Sequence, residues 1–269
     1  MKTEVFAHEM RKIEIESLYR AKSGHPGGSL SCTDILAVLY NEEMRVNPAD
    51  PRDPERDRFV LSKGHCAPAL YAALALKGFF PVEECLTLRK IDSRLEGHPS
   101  LKSTPGVDMS TGSLGQGISA ACGMALSAKL RGKDYRVYSI LGDGEVEEGQ
   151  VWEAAMFAAH YKLDNLCLFV DLNGLQIDGP TAEVMNSAPV AEKMRAFGHH
   201  VIEIDGHDLN AIRSALNVAR RIKGKPTCVV AHTVKGKGVS FMENQVDWHG
   251  SAPKQAEYET AMKELNENG

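Results

Sequence analysis

The chain has 269 residues, 43% of them hydrophobic, with 31 basic and 36 acidic side chains and a net charge of −5. That length fits one large α/β domain or two small ones with a substantial core, and no break in composition marks a second domain. The mixed, slightly acidic charge argues against a nucleic-acid surface, and no run approaches the ~20 apolar residues of a membrane span.

In chain order, Met1 to Arg20 alternates charges with Val5, Phe6, Ile13, Ile15, Leu18 and Tyr19, which predicts an amphipathic helix and not a signal peptide. Asn47 to Pro54 reads as a polar loop, Arg58 to Ser62 as a strand and Cys66 to Lys77 as a helix. The glycine-rich turn Thr111 to Gly117 leads into an alanine-rich helix over Gln116 to Leu130. Tyr135 to Leu141 and Leu166 to Val170 are short, bulky and bounded by turn residues, as buried parallel strands are. Between them Glu147 to Tyr161 carries Val151, Ala154, Ala155, Ala158 and Ala159 at helical spacing and predicts a crossover helix. Val201 to Ile204 and Thr227 to Ala231 predict two further strands around a helix at Leu209 to Ile222, and the last dozen or so residues predict a surface helix with a loose end. The alternation predicts an α/β fold, a doubly wound and mainly parallel sheet with helices on both faces. Cys32, Cys66, Cys85, Cys122, Cys167 and Cys228 are scattered and lack a C-x-x-C pair, so they read as reduced core thiols of a soluble, cytoplasmic protein.

Chemistry concentrates at strand ends. Gly142-Asp143-Gly144 closes one predicted strand, and Asn173 follows the next after 28 intervening residues. Open α/β sheets bind ligands at carboxyl ends of strands, and a carboxylate with an amide oxygen suits magnesium holding a diphosphate. Alone, Gly-Asp-Gly reads more readily as a strand-to-helix turn with Asp143 as a cap; Asn173 at the matching place reverses the reading to a metal. The turn at Gly112 has the order G-x-x-G-x-G, not the dinucleotide G-x-G-x-x-G, and either approaches an anion or packs a helix on the sheet. Four histidines, His25, His65, His98 and His249, each lie beside glycine in a predicted loop. Imidazoles converging on one pocket could ligate hydroxyls and move protons, whereas no two of them share a helical face or ribbon as a zinc pair would.

Ser23-Gly24-His25-Pro26-Gly27, Ser62-Lys63-Gly64-His65, Gly97-His98-Pro99, the turn Thr111 to Gly117, Gly142-Asp143-Gly144 with Glu148-Gly149, and Asn173 occur in the order and approximate spacing found in transketolases. The sequence resembles the amino-terminal, diphosphate-binding part of that family from about His25 to His249. The resemblance implies a single thiamine diphosphate-binding (PP) domain over residues 1–269, without pyrimidine-binding and carboxyl-terminal domains. It implies thiamine diphosphate with Mg2+, or Ca2+ or Mn2+ in its place, held by Asp143, Asn173 and the carbonyl of Leu175. Gly112, Leu114, Gly142, Gly144, Asn173, His65 and His249 would contact the cofactor. His25 and His98 would meet donor and acceptor hydroxyls, His25 and His249 would shuttle the substrate proton, and Glu148 would sit where two subunits meet. Its local alternative is a solvated glutamate in a first helical turn. Arg94-Leu95-Glu96-Gly97 departs from the Thr-Pro-Gly that many full-length members carry before this histidine, as two-chain members often do.

The resemblance therefore implies one subunit of a transketolase that acts on sugar or sugar-phosphate substrates, with a carboxyl-terminal partner subunit in an α2β2 heterotetramer. The alternatives are a 1-deoxyxylulose-5-phosphate synthase-like subunit or a noncatalytic thiamine diphosphate-binding regulatory subunit.

Overall fold

The computed structural model describes residues 1–267, so the loose end expected at residues 268–269 lies outside the described residues. Five parallel strands form one sheet: β1 (Arg58–Leu61), β2 (Val137–Gly142), β3 (Leu166–Leu172), β6 (His200–Asp205) and β7 (Thr227–His232). A short antiparallel hairpin, β4 (Leu175–Gln176) with β5 (Gly179–Pro180), leaves the end of β3. The sheet order is β1-β2-β3-β7-β6, so the chain skips a place after β3 and fills it last with β7.

Side chains of successive strand residues point to opposite faces, and here both faces are apolar. Ile140, Phe169 and Val229 join one core cluster, while Leu141, Leu168 and Val230 join the other. The first cluster is covered by α1 (Thr3–Ala21), α2 (Pro26–Val38), α3 (Ala67–Leu76) and α8 (Leu209–Arg221). The second is covered by α4 (Gln116–Leu130), α5 (Gly149–His160) and α7 (Val190–Ala196), the last reached through a single helical turn, α6 (Thr181–Val184). Helices on both faces match the doubly wound expectation. The carboxyl-terminal helix α9 (Gln255–Glu267) packs Ala261 and Leu265 against Ile15 of α1 in a smaller third cluster.

Amphipathic helices fall close to their predicted bounds. In α8 Asp208 caps the amino terminus by accepting N–H bonds from Asn210 and Ala211 at 2.8 and 3.2 Å, and Ile212, Ala215, Leu216 and Ala219 face the core. The helix α2 has no counterpart in the sequence reading. All thirteen of its residues are buried, so it carries no polar face and no helical periodicity; only Pro26 at its start is a helix signal. His25 stands at the amino terminus of this buried helix, which packs against α1, α3 and α8. Among the described residues no helix is long and apolar enough to cross a membrane, and all six cysteines are buried free thiols.

Candidate active site

The carboxyl ends of β2, β3 and β7 meet where the strand order reverses, the place at which open α/β sheets form a crevice. A cavity of about 250 Å³ opens there. Its floor carries four buried charged side chains: Lys63, Asp143, Glu145 and Lys235, each 2% exposed.

Two of these are tied down. Lys63 pairs with the fully buried Asp171 of β3 and also donates to the Gly28 carbonyl at 2.8 Å. Ser31 donates to Asp171 Oδ2 at 2.5 Å, and Thr233 donates to Oδ1. Burial opposes both charges, but the pair wins: Lys63 is held protonated and Asp171 is kept below the usual carboxylate range. Glu145 accepts from Ser62 Oγ at 2.5 Å, Gly115 N at 2.9 Å and Gly142 N at 3.0 Å, which fastens the glycine-rich turn to the end of β2. Burial still raises its pKa. The same turn needs Gly112, whose φ is +142° and whose amide would lie 2.6 Å from any Cβ on Gly64.

The other two make no salt bridge among the described residues, although each feels the other's charge. Asp143 Oδ1 accepts from Gly144 N at 2.9 Å and Oδ2 from Gly174 N at 2.5 Å, but no cationic side chain pairs with it among the described residues. Burial, then repulsion from Asp171, pushes its pKa up to about 6. Lys235 donates to the Leu175 carbonyl at 3.2 Å and to His249 Nδ1 at 3.0 Å, with no carboxylate pairing among the described residues, and burial pulls its pKa down. Unpaired buried charges are costly, and a metal–anion complex satisfies both signs at once. Around Asp143 the available atoms are oxygens: its carboxylate, the Asn173 side-chain oxygen, which accepts from Leu175 N at 3.2 Å, and the Leu175 carbonyl. That set suits a hard cation such as magnesium, and the lysine with the glycine-lined walls suits a diphosphate.

At the mouth four imidazoles converge. His25 lies 5.2 Å from His65, 5.6 Å from His249 and 6.4 Å from His98 between ring centroids, and His65 stacks on His249 at 5.3 Å. Burial is the main cause that lowers every one of them, to about 4 for His25 and about 3 for His65 and His249, with His98 lowered too. Neighbouring lysines and Arg89 push in the same direction. At neutral pH they are neutral rings able to donate and accept, and the charged form that free histidine reaches near neutrality is suppressed. His25 Nδ1 is buried without a hydrogen-bond partner.

His25, His65, Gly112, Leu114, Gly142, Asp143, Gly144, Asn173, Leu175 and His249 all line this cavity, and His98 stands beside His25. Glu148 lies outside it, exposed at the amino terminus of α5. Sequence reasoning missed Lys235, Glu145, Gln176 and Ile177 and assigned no role to Lys63. The run Lys235-Gly236-Lys237-Gly238 just past β7, alternating lysine with glycine, is the signal that could have found Lys235.

A mainly parallel sheet with helices on both faces and a cavity at the carboxyl ends of its strands is the architecture of a ligand-binding α/β protein. Residues 2–268 match the family "Transketolase, thiamine diphosphate binding domain", and the chain belongs to that family. It is 48% identical over 263 residues to the 6-deoxy-6-sulfo-D-fructose transketolase subunit SqwG of Clostridium sp. (strain MSTE9), covering 98% of this chain and 96% of that one. It is 44% identical over 264 residues to an apulose-4-phosphate transketolase subunit from Phocaeicola vulgatus, covering 98% and 94%. Among solved structures, transketolase from Leishmania mexicana superposes with a TM-score of 0.93 at 34% identity, covering 99% of this chain and 41% of that one.

Proposed function

We propose that this chain is the diphosphate-binding (PP) subunit of a two-chain transketolase. It transfers a two-carbon glycolaldehyde unit from a ketose, expected to be a sugar phosphate, to an aldose with thiamine diphosphate and Mg2+. The observation that carries the reading is the unpaired Asp143 and Lys235 at the floor of one cavity whose mouth holds neutral imidazoles.

Thiamine diphosphate, when bound, supplies a nucleophilic carbon and an electron sink for breaking a carbon–carbon bond beside a carbonyl. Asp143, Asn173 and Leu175 hold the cation. Lys235 meets the diphosphate, and Gly112, Leu114, Gly142, Gly144 and His65 shape the walls around it. Because Lys235 donates to Nδ1 of His249, the ring proton of His249 sits on Nε2, ready to be given to a hydroxyl or alkoxide oxygen. His25, kept neutral and lining the cavity, is placed to take a hydroxyl proton, and the neighbouring His98 to hold an acceptor hydroxyl.

Relatives of the same length are named as subunits, and this chain spans 41% of the Leishmania mexicana transketolase. Both facts support a partner subunit that carries the pyrimidine-binding domain and the group activating the cofactor ring, in an α2β2 heterotetramer. The exposed position of Glu148 suits a subunit contact. A cytoplasmic location fits six free thiols. The two subunit relatives are named for different sugars, so the donor is to be found by screening.

The test is to purify this chain with its partner and assay Mg2+-dependent glycolaldehyde transfer over a panel of ketoses and aldoses. The chain alone is expected to be inactive and the mixture active. A stable complex that binds thiamine diphosphate yet transfers no two-carbon unit from any ketose would sink the reading.

A further inference from the structure

Behind the cavity floor, Arg11, Asp34 and His207 form a linked cluster that the proposed reaction does not use. Arg11 Nη1 and Nη2 donate to Asp34 Oδ1 and Oδ2 at 3.0 and 2.6 Å. His207 Nδ1 lies 2.8 Å from Asp34 Oδ2, and its Nε2 lies 2.8 Å from the N–H of Val234. These contacts fix the tautomer: Nε2 must accept from the backbone, so Nδ1 carries the proton and donates to the carboxylate. With both ring nitrogens committed, His207 has nothing left for a substrate.

The segment it grips carries Lys235. Val234 N–H is held by His207, and the Lys237 carbonyl accepts from Arg11 Nε at 3.2 Å. Between these points Gly236 N donates to the Gly27 carbonyl at 2.9 Å, and the Lys235 carbonyl accepts from Asn244 N at 2.9 Å. Gly236 has φ of +81°, and a Cβ there would lie 2.3 Å from the Met242 carbonyl oxygen, so the bend admits no other residue without rearrangement.

We propose that Arg11, Asp34 and His207 are positioning residues for Lys235. They fix its backbone so that the ammonium reaches the Leu175 carbonyl, His249 Nδ1 and, on the reading given under Proposed function, the diphosphate. A four-carbon stem can sweep widely, and only an anchored backbone gives its head one place.

The test uses the complex of this chain with its partner. Thiamine diphosphate affinity in the presence of Mg2+ is measured for the natural protein, His207→Phe and His207→Gln, with hydrogen exchange over residues 233–238 followed in parallel. Phe cannot accept the Val234 N–H and is expected to weaken binding about tenfold and to speed exchange at Val234 and Lys235. Gln, which offers an amide oxygen, is expected to restore most of both. A folded His207→Phe complex with unchanged affinity and exchange overturns the proposal. If that variant fails to fold, His207→Asn, too short to reach Val234, takes its place with the same two outcomes. Should the natural complex not bind thiamine diphosphate at all, the functional reading fails, and the exchange measurement still decides whether His207 anchors the segment.

Discussion

The two ends of the cavity solve different problems. At the floor Lys63, Asp171 and Glu145 are each held by several partners, and Asp143 and Lys235 make no salt bridge among the described residues. At the mouth the imidazoles pack on one another, His25 edge to face on His65 and His249 and His65 stacked on His249, and His25 Nδ1 lacks a hydrogen-bond partner. A charged ligand rewards geometry fixed beforehand, because every buried charge must already have its place. Sugar hydroxyls reward neutral groups that can donate or accept, which burial of the histidines provides.

The largest effect should come from breaking the floor. Lys63→Met strips Asp171 of its counter-ion and leaves it buried. That should cost about 3–5 kcal/mol, a large part of the 5–15 kcal/mol typical of a folded domain. Adding Asp171→Leu should recover most of the loss in urea unfolding at neutral pH. A single variant as stable as the parent would show that the ion pair is not what holds this end together.

The mouth should fail differently. His25→Ala is expected to lower kcat/KM about 10²–10⁴-fold, the usual range for a proton-transfer group, with thiamine diphosphate affinity within about threefold of the parent. Asp143→Ala should do the reverse and abolish Mg2+-dependent cofactor binding first. If both variants lose binding and turnover in the same proportion, the division between the two ends is wrong.

A smaller, graded effect follows from the titration of Asp143, whose pKa is raised to about 6. The cation needs the carboxylate, so Mg2+ affinity should be level above that pH and fall about tenfold per unit below it. His25, His65 and His249, lowered to about 4, about 3 and about 3, stay neutral over pH 5 to 7.5, so none of these three supplies the loss. In the metal-free protein the sign for folding is opposite. The native carboxyl keeps its proton between the ordinary 3.8 and about 6, so Asp143 lowers stability as pH rises through that window. Metal titrations across this range, paired with unfolding curves without metal, test both signs; a flat Mg2+ profile contradicts the burial of this group.

What was legible in the sequence was local. β2, α5 and β3 follow from bulky strand runs and helical spacing, and Asp143 and Asn173 stand at their ends where the pattern puts them. The glycine-flanked histidines were legible as a set, although their neutral state depends on burial that no spacing encodes. Glu145 and Glu148 look alike in sequence, three residues apart; only folding buries the first against Ser62 and Gly115 and leaves the second exposed. Lys63 meets Asp171 across 108 positions, and α2 lost its signature by being buried all round. Such contacts are tertiary, and composition does not carry them.

The smallest predicted effect tests how firmly the mouth is set. Arg89 donates to Ser23 Oγ at 3.0 Å and to the Gly97 carbonyl at 3.4 Å, and so ties the segment before His25 to the segment before His98. Its φ of +59° is uncommon for a residue with a side chain, and among the described residues no carboxylate pairs with it. A planar fork can hold two acceptors on separate loops at fixed spacing, whereas a lysine offers one flexible point. Arg89→Lys is therefore expected to raise KM for the aldose about three- to tenfold with kcat nearly unchanged, since it loosens hydroxyl recognition and spares the floor. Added guanidinium at millimolar concentration should partly rescue Arg89→Ala by refilling the slot between Ser23 and Gly97. A change confined to kcat would instead place Arg89 with the proton-transfer groups, and no change at all would mean that the two histidine segments hold their spacing without it.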